Sequence, residues 1–165
     1  MRQSKLATRR ILLGCCLIGI VTRALSADAA SPPSIFVANQ GSVALSAYPG
    51  GSFGNVLSQV TNPELVNPEG IARDFAGNIY VANPNGVAVT VYAAGVYGAP
   101  NPIAVITGPN TALDYPIGVG VDSGGNIYVL NCGTCGDNTD DSIAVFPPGS
   151  NGNVTPAAVI TGAST

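Results

Sequence analysis

Asn78-Ile79-Tyr80-Val81-Ala82-Asn83 returns 48 residues later as Asn126-Ile127-Tyr128-Val129-Leu130-Asn131, and an earlier copy, Ser34-Ile35-Phe36-Val37-Ala38-Asn39, starts 44 residues before it. Each copy has the alternation and the β-branched and aromatic content of a strand. Upstream of the second and third copies stand Pro68-Glu69-Gly70-Ile71-Ala72-Arg73-Asp74 and Pro116-Ile117-Gly118-Val119-Gly120-Val121-Asp122. Gly77 and Gly124-Gly125 supply the tight turns into the repeated strand. Downstream, Val87 to Tyr92 corresponds to Ser142 to Phe146 and to Ala44 to Tyr48, and Pro102-Ile103-Ala104-Val105-Ile106-Thr107-Gly108 is nearly repeated by Pro156-Ala157-Ala158-Val159-Ile160-Thr161-Gly162. The repeating unit is therefore four short strands, a to d, in ~45 residues, the pattern of a propeller blade. Beyond residue 30 no segment keeps a helical period. The expected fold is all-β: a partial β-propeller of about three four-stranded antiparallel blades over 34–62, 68–108 and 116–162, the first lacking its first strand.

The run Pro-x-Gly-Ile-Ala-x-Asp-x-x-Gly-Asn-Ile-Tyr-Val-Ala-Asn, followed by a Val-x-Val-Tyr strand and a glycine turn, resembles the NHL repeat and related bacterial propeller repeats over residues 34 to 165. The resemblance implies the blade and no particular activity, because propellers host enzymes, receptors and scaffolds alike. Some propellers resembling gluconolactonase bind a divalent cation through Glu, Asn and Asp, which makes Glu69 a candidate ligand in a metal-dependent, lactonase-like alternative. The other ligands of that pattern have no matching positions here.

The ends of the array are ragged. The first copy opens at strand b and the third stops after strand d, whereas propellers typically close with about 4 to 8 blades. Three blades leave two apolar faces without neighbours. We expect a piece of a longer propeller. The alternatives are self-association through the open faces, so that a second copy completes the ring, or an open arc, which the exposed apolar surface disfavours.

Residues 1–30 have a different character. Arg2, Lys5, Arg9 and Arg10 precede the apolar run Ile11 to Val21, and small residues gather at Ala27-Asp28-Ala29. A basic start, a short apolar core and a small-residue exit make a signal peptide. The apolar run is well short of the ~20 residues that cross a bilayer, so no transmembrane segment is expected in the mature chain. The protein is expected to be exported, to the periplasm, the cell envelope or the extracellular space. Thr8-Arg9-Arg10-Ile11-Leu12-Leu13 resembles a twin-arginine motif, although any signal needs positive charge, and the route stays open. Leu12-Leu13-Gly14-Cys15 looks like a lipoprotein box, but too few apolar residues precede the cysteine for lipidation.

Five of the six basic residues lie in that segment. From residue 31 onward one arginine, Arg73, faces eight carboxylates, a net charge of −7 against −3 for the whole chain. Nucleic-acid affinity rests on Lys and Arg neutralising phosphates, so nucleic acid is excluded as a partner. Anionic membrane surfaces are excluded for the same reason. Histidine is absent, which removes Ser-His-Asp and Cys-His catalysis and histidine-ligated zinc. The only lysine is Lys5, so Schiff-base chemistry is absent beyond residue 30. No catalytic residue and no organic cofactor is expected.

Cys132-Gly133-Thr134-Cys135 lies between strands b and c of the third copy. In an exported protein such a pair is read as a disulfide. A redox-active pair sits instead at a helix N-terminus in a βαβ setting; free thiols or a metal are the remaining alternatives. The same loop continues through Asp137, Asp140 and Asp141. Clustered oxygen ligands suit Ca²⁺, and those three are candidate calcium ligands, although Asp and Asn enrichment is also ordinary turn chemistry. Asp74 and Asp122 recur at the end of strand a and are expected to accept N–H bonds from the following turn. Asn83 and Asn131 recur at the end of strand b and are read as turn residues. Phe36, Tyr80 and Tyr128, with Tyr48, Tyr92 and Phe146, are assigned to packing between blades. The functional expectation is an exported, non-enzymatic binding or scaffold module with a protein or carbohydrate ligand.

Overall fold

The computed structural model describes residues 33–40, 44–49, 59–61, 65–95, 99–136 and 140–162. The signal segment and Asp137 lie outside them. Among the described residues there are eleven strands and one three-residue 3₁₀ turn, Pro84–Gly86. No helix among them is long and apolar enough to cross a membrane.

The strands form three antiparallel sheets. The first contains β1 (Pro33–Asn39), β2 (Ala44–Pro49) and β3 (Gln59–Thr61) in that order. The second runs β4 (Ile71–Arg73), β5 (Ile79–Asn83), β6 (Ala88–Tyr92) and β7 (Ala104–Thr107). The third runs β8 (Pro116–Val121), β9 (Ile127–Asn131), β10 (Ser142–Phe146) and β11 (Ala158–Thr161). Each sheet is a meander with strands adjacent in sequence also adjacent in space, the topology of a propeller blade. Among the described residues the first has strands b, c and d. The start of strand c in the second blade differs from the sequence reading. Val87 is not the start of strand c: Pro84 sets a 3₁₀ turn that ends with Val87 at φ 43°, and β6 begins at Ala88. Proline's fixed φ suits the first position of such a turn.

Period-two alternation sends alternate side chains of a strand to opposite faces, and in the second blade both faces are buried. Ile79, Val81 and Tyr92 pack with Leu45 and Leu65, on the side of the first blade. Tyr80, Val89, Val91 and Ile106 pack with Ile127, Val129, Ala144 and Phe146 of the third. All five residues of β5 are therefore buried, whereas β9 alternates between buried Ile127, Val129, Asn131 and exposed Tyr128 and Leu130. Burying a large side chain contributes roughly 1.5–3 kcal/mol, so these side chains hold neighbouring blades against one another.

Two backbone features hold the second and third blades together. The first is the approach of Gly70 to β8: a Cβ there would lie 2.6 Å from the Ile117 carbonyl oxygen and 2.7 Å from Gly118 Cα. The second is the loop between β10 and β11, which lies along the outer edge of β7. The Val105 N–H donates to Asn151 Oδ1 (3.0 Å) and the Asn110 N–H to Asn153 Oδ1 (2.8 Å). The Gly152 N–H donates to the Val105 carbonyl (2.8 Å) and its carbonyl accepts from the Thr107 N–H (3.2 Å). Gly152 holds φ +74° with open space around it, so glycine is required by conformation rather than by crowding. An edge strand with unpaired N–H groups is thereby covered.

Gly70→Ala is expected to destabilise the fold by about 1–3 kcal/mol, because the neighbouring backbone has to move. Gly86→Ala, whose Cβ would meet only ordinary side-chain contacts, is expected to change stability by less than about 0.5 kcal/mol. Urea unfolding of the two variants checks the difference.

Candidate functional site

The turn between β4 and β5 is organised by Asp74. Its carboxylate accepts the Asn78 N–H (2.8 Å), the Asn78 side-chain amide (2.8 Å) and the Tyr80 hydroxyl (3.2 Å). The backbone closes the turn through Gly77 N–H to the Asp74 carbonyl, with Gly77 at φ +93°. The third blade repeats the arrangement. Asp122 accepts the N–H groups of Gly124 and Asn126, the Asn126 amide and the Tyr128 hydroxyl, at 2.8 to 3.1 Å. The bonds to the turn backbone are those read from the sequence; the tyrosine hydroxyl is an addition.

These bonds set the charge state. At Asp74, burial acts to raise the pKa, but the Asn78 amide and N–H, the Tyr80 hydroxyl and the Gly77 N–H together hold it below the ordinary 3.8. At Asp122 the Asn126 amide and N–H lower it against slight burial, with help from Tyr128 and Gly124. The phenols move the other way. Tyr80 is raised above 10.0 by burial and by the charge and bond of Asp74, and Tyr128 by the bond and charge of Asp122.

At the junction of the second and third blades the Asp74 turn borders a cleft of about 370 Å³. Asp74, Asn78 and Tyr80 line one side; Ile103 and Ala104 come from the start of strand d; Gly125, Ile127 and the Pro148–Asn151 loop close it from the third blade. It thus combines a carboxylate held ionised, a phenol and an amide with an aliphatic wall. Its walls come from sequence positions nearly 80 residues apart, so no single repeat reveals it. The signal for the loop was nevertheless present: Gly149-Ser150-Asn151-Gly152-Asn153-Val154 matches Gly51-Ser52-Phe53-Gly54-Asn55-Val56, with Gly95 and Gly98 at the corresponding places of the second blade.

The other candidates sit elsewhere. Glu69, the candidate ligand of a lactonase-like metal, accepts hydrogen bonds from Gln40 of the first blade and from the Asn67 amide at 3.4 Å. Cys132 and Cys135 form a disulfide with Cα atoms 5.0 Å apart. Their loop is tied back to the start of the blade, Cys132 N–H to the Tyr115 carbonyl and Gly133 N–H to the Asp114 carbonyl. Of the candidate calcium ligands, Asp140 and Asp141 border this loop and Asp137 lies outside the described residues. Among the described residues no three acidic or thiol groups converge on one point.

Asn83 and Asn131 are more than turn residues, and here the sequence reading is corrected. Both are fully buried. Asn83 Oδ1 accepts the Val66 N–H and Asn131 Oδ1 the Asp114 N–H, pinning the segment that leads into strand a. The amide of Asn83 donates to Thr90 Oγ1, and that of Asn39 to Ser46 Oγ. In the third blade Ala144 replaces that hydroxyl residue, and the Asn131 amide reaches Ser142 Oγ instead.

No family model and no curated protein matches the chain. Among solved structures it is similar to one described as "Streptogramin B lyase structure", with a TM-score of 0.47 and 15% identity over 68% of this chain and 36% of that one. The chain therefore spans about a third of that protein's length. At this identity the likeness says nothing of activity.

The pKa shifts fix the sign of the pH response. A lowered carboxylate pKa contributes stability that is complete above the unfolded value and is lost as pH falls through the folded one. A raised tyrosine pKa contributes stability that is complete below its unfolded value and is lost as pH rises through the folded one. Thermal unfolding followed by circular dichroism is therefore expected to weaken below about pH 4 and again above about pH 10. The combined variant Asp74→Asn/Asp122→Asn is expected to flatten the acid limb.

Proposed function

We propose that this chain is an exported, non-enzymatic binding module built of NHL-like blades, and that the cleft between its second and third blades takes a neutral carbohydrate. The observation that carries this reading is the cleft itself. A carboxylate and a side-chain amide stand beside the aliphatic surface of Ile103 and Ile127, which matches the two faces of a sugar, hydroxyls on the rim and C–H groups on the ring. Its volume falls within the roughly 300–1,000 Å³ of small-molecule sites. Export is supported by the signal-like N-terminus, and the excess of carboxylates over basic residues favours neutral over anionic ligands.

Support for binding over turnover comes from the chemistry of the lining groups. The Asp74 carboxylate is engaged by three donors and held below the ordinary carboxylate pKa, whereas a general base is poised near the operating pH. Glu69 is likewise occupied by Gln40 and Asn67, which speaks against the lactonase-like reading.

Calorimetry against a panel of neutral oligosaccharides tests the proposal. Binding is expected for one class and should be lost in Ile103→Trp, where the new ring fills the cleft from a position already 55% exposed, with the melting temperature unchanged. Binding that survives this variant, binding of proteins only, or lactone hydrolysis dependent on a divalent cation would overturn it.

A further inference from the structure

The cleft beside Asp74 crosses the whole width of the second blade. Its wall takes Asp74 from directly after β4, Tyr80 from β5, Val91 from β6 and Ala104 from β7, and β4-β5-β6-β7 is the order of the sheet. Three inter-strand spacings make it roughly 14 Å long. A volume of about 370 Å³ spread over that length is a slot rather than a bowl.

The two most exposed large hydrophobic side chains among the described residues belong to the two ends of this slot. Phe75 is 102% exposed and Ile103, just before β7, is 55%. Phe75 follows Asp74 directly, so its Cα lies about 3.8 Å from that of a residue lining the slot. The fold calls for neither side chain. The third blade closes the same turn through the Gly125 N–H and the Asp122 carbonyl, as Gly77 does with Asp74, and has Ser123 where Phe75 stands. It begins strand d with the Ala157 N–H on the Val145 carbonyl, as Ile103 does on Val91, with a methyl group in place of the larger chain. One exposed apolar side chain is ordinary. Two at opposite ends of one slot, each where the other blade has a small residue, mark a surface that meets a ligand.

The negative face of an aromatic ring attracts the C–H groups of a sugar. Beside Phe75, the Asp74 carboxylate has three donors for about four lone-pair sites, which leaves room to accept a sugar hydroxyl. A single pyranose ring is too short to reach from there to Ile103. We propose that the ligand is a linear neutral oligosaccharide lying across the strands, with one unit stacked on Phe75 and another against Ile103. This rests on the carbohydrate reading of the cleft and adds the length and direction of the ligand, with Phe75 as a binding residue.

Calorimetry with neutral linear glucan, mannan and xylan ladders, from monosaccharide to hexasaccharide, tests it on the protein purified as its host processes it. In the series that binds, affinity should rise with chain length. Phe75→Ser, which installs the residue of the third blade, should weaken hexasaccharide binding about three- to tenfold, weaken disaccharide binding less, and leave the melting temperature unchanged. Phe75→Trp should keep the affinity. Its indole is then the only tryptophan of the chain, and its emission should move to the blue when the hexasaccharide is added. Equal affinity for short and long members, a hexasaccharide affinity unmoved in Phe75→Ser, or an unmoved emission in Phe75→Trp would overturn the proposal. If Ile103→Trp still abolished binding in that case, the carbohydrate reading would stand without it. Absence of binding by every ladder would remove both.

Discussion

A four-stranded blade has two faces and an outer edge, and in the second blade one face is buried by the first blade while the other face and the edge are covered by the third. The edge is the most demanding, because Val105 and Thr107 present N–H groups that no strand of their own sheet can take. The loop following β10 reaches across to accept both, through Asn151 Oδ1 and the Gly152 carbonyl. That reach fixes the offset between blades, and the offset in turn brings Ile106 under the third blade and aligns Gly70 with Gly118. The cleft beside Asp74 is a by-product of the same geometry, since its far wall is the loop that makes the clip.

The recurring polar residues divide the work within each blade. Asp74 and Asp122 hold the a–b turns, while Asn83 and Asn131, buried inside, hold the segment that leads into the blade. A buried amide left without partners costs about as much as the bonds it forgoes, roughly 1–3 kcal/mol. These residues therefore set backbone path more than they add net stability. Their repetition in successive blades makes the array regular enough for one blade to be a template for docking the next.

Much of this was legible in the sequence. Strand identity followed from alternation because β5, β6, β9 and β10 pack against neighbouring sheets, and packing selects period-two apolar runs. The turn role of Asp74 followed from local spacing alone. The boundary at Val87 was missed because a β-branched residue at positive φ runs against strand propensity, and only the preceding Pro84 hinted at it. The asparagine clips, the glycine–asparagine loop and the cleft were missed for a different reason. Each joins residues from separate strands or separate blades, and a pattern read along one repeat carries no distance between them. The recurrence of Gly-Ser-x-Gly-Asn-Val was the one trace of the inter-blade contact in the chain, and it signals a shared role without saying which edge it meets.

Amide hydrogen exchange resolved at single residues tests the central claim, that the loop of one blade completes the edge of the blade before it. The Val105 and Thr107 amides donate to Asn151 Oδ1 and to the Gly152 carbonyl of the third blade. We predict that they exchange as slowly as the ladder amide of Ile106, and that Asn151→Ala releases Val105 alone. Exchange of Val105 and Thr107 at the rate of an open strand edge, with Ile106 still protected, would contradict the account.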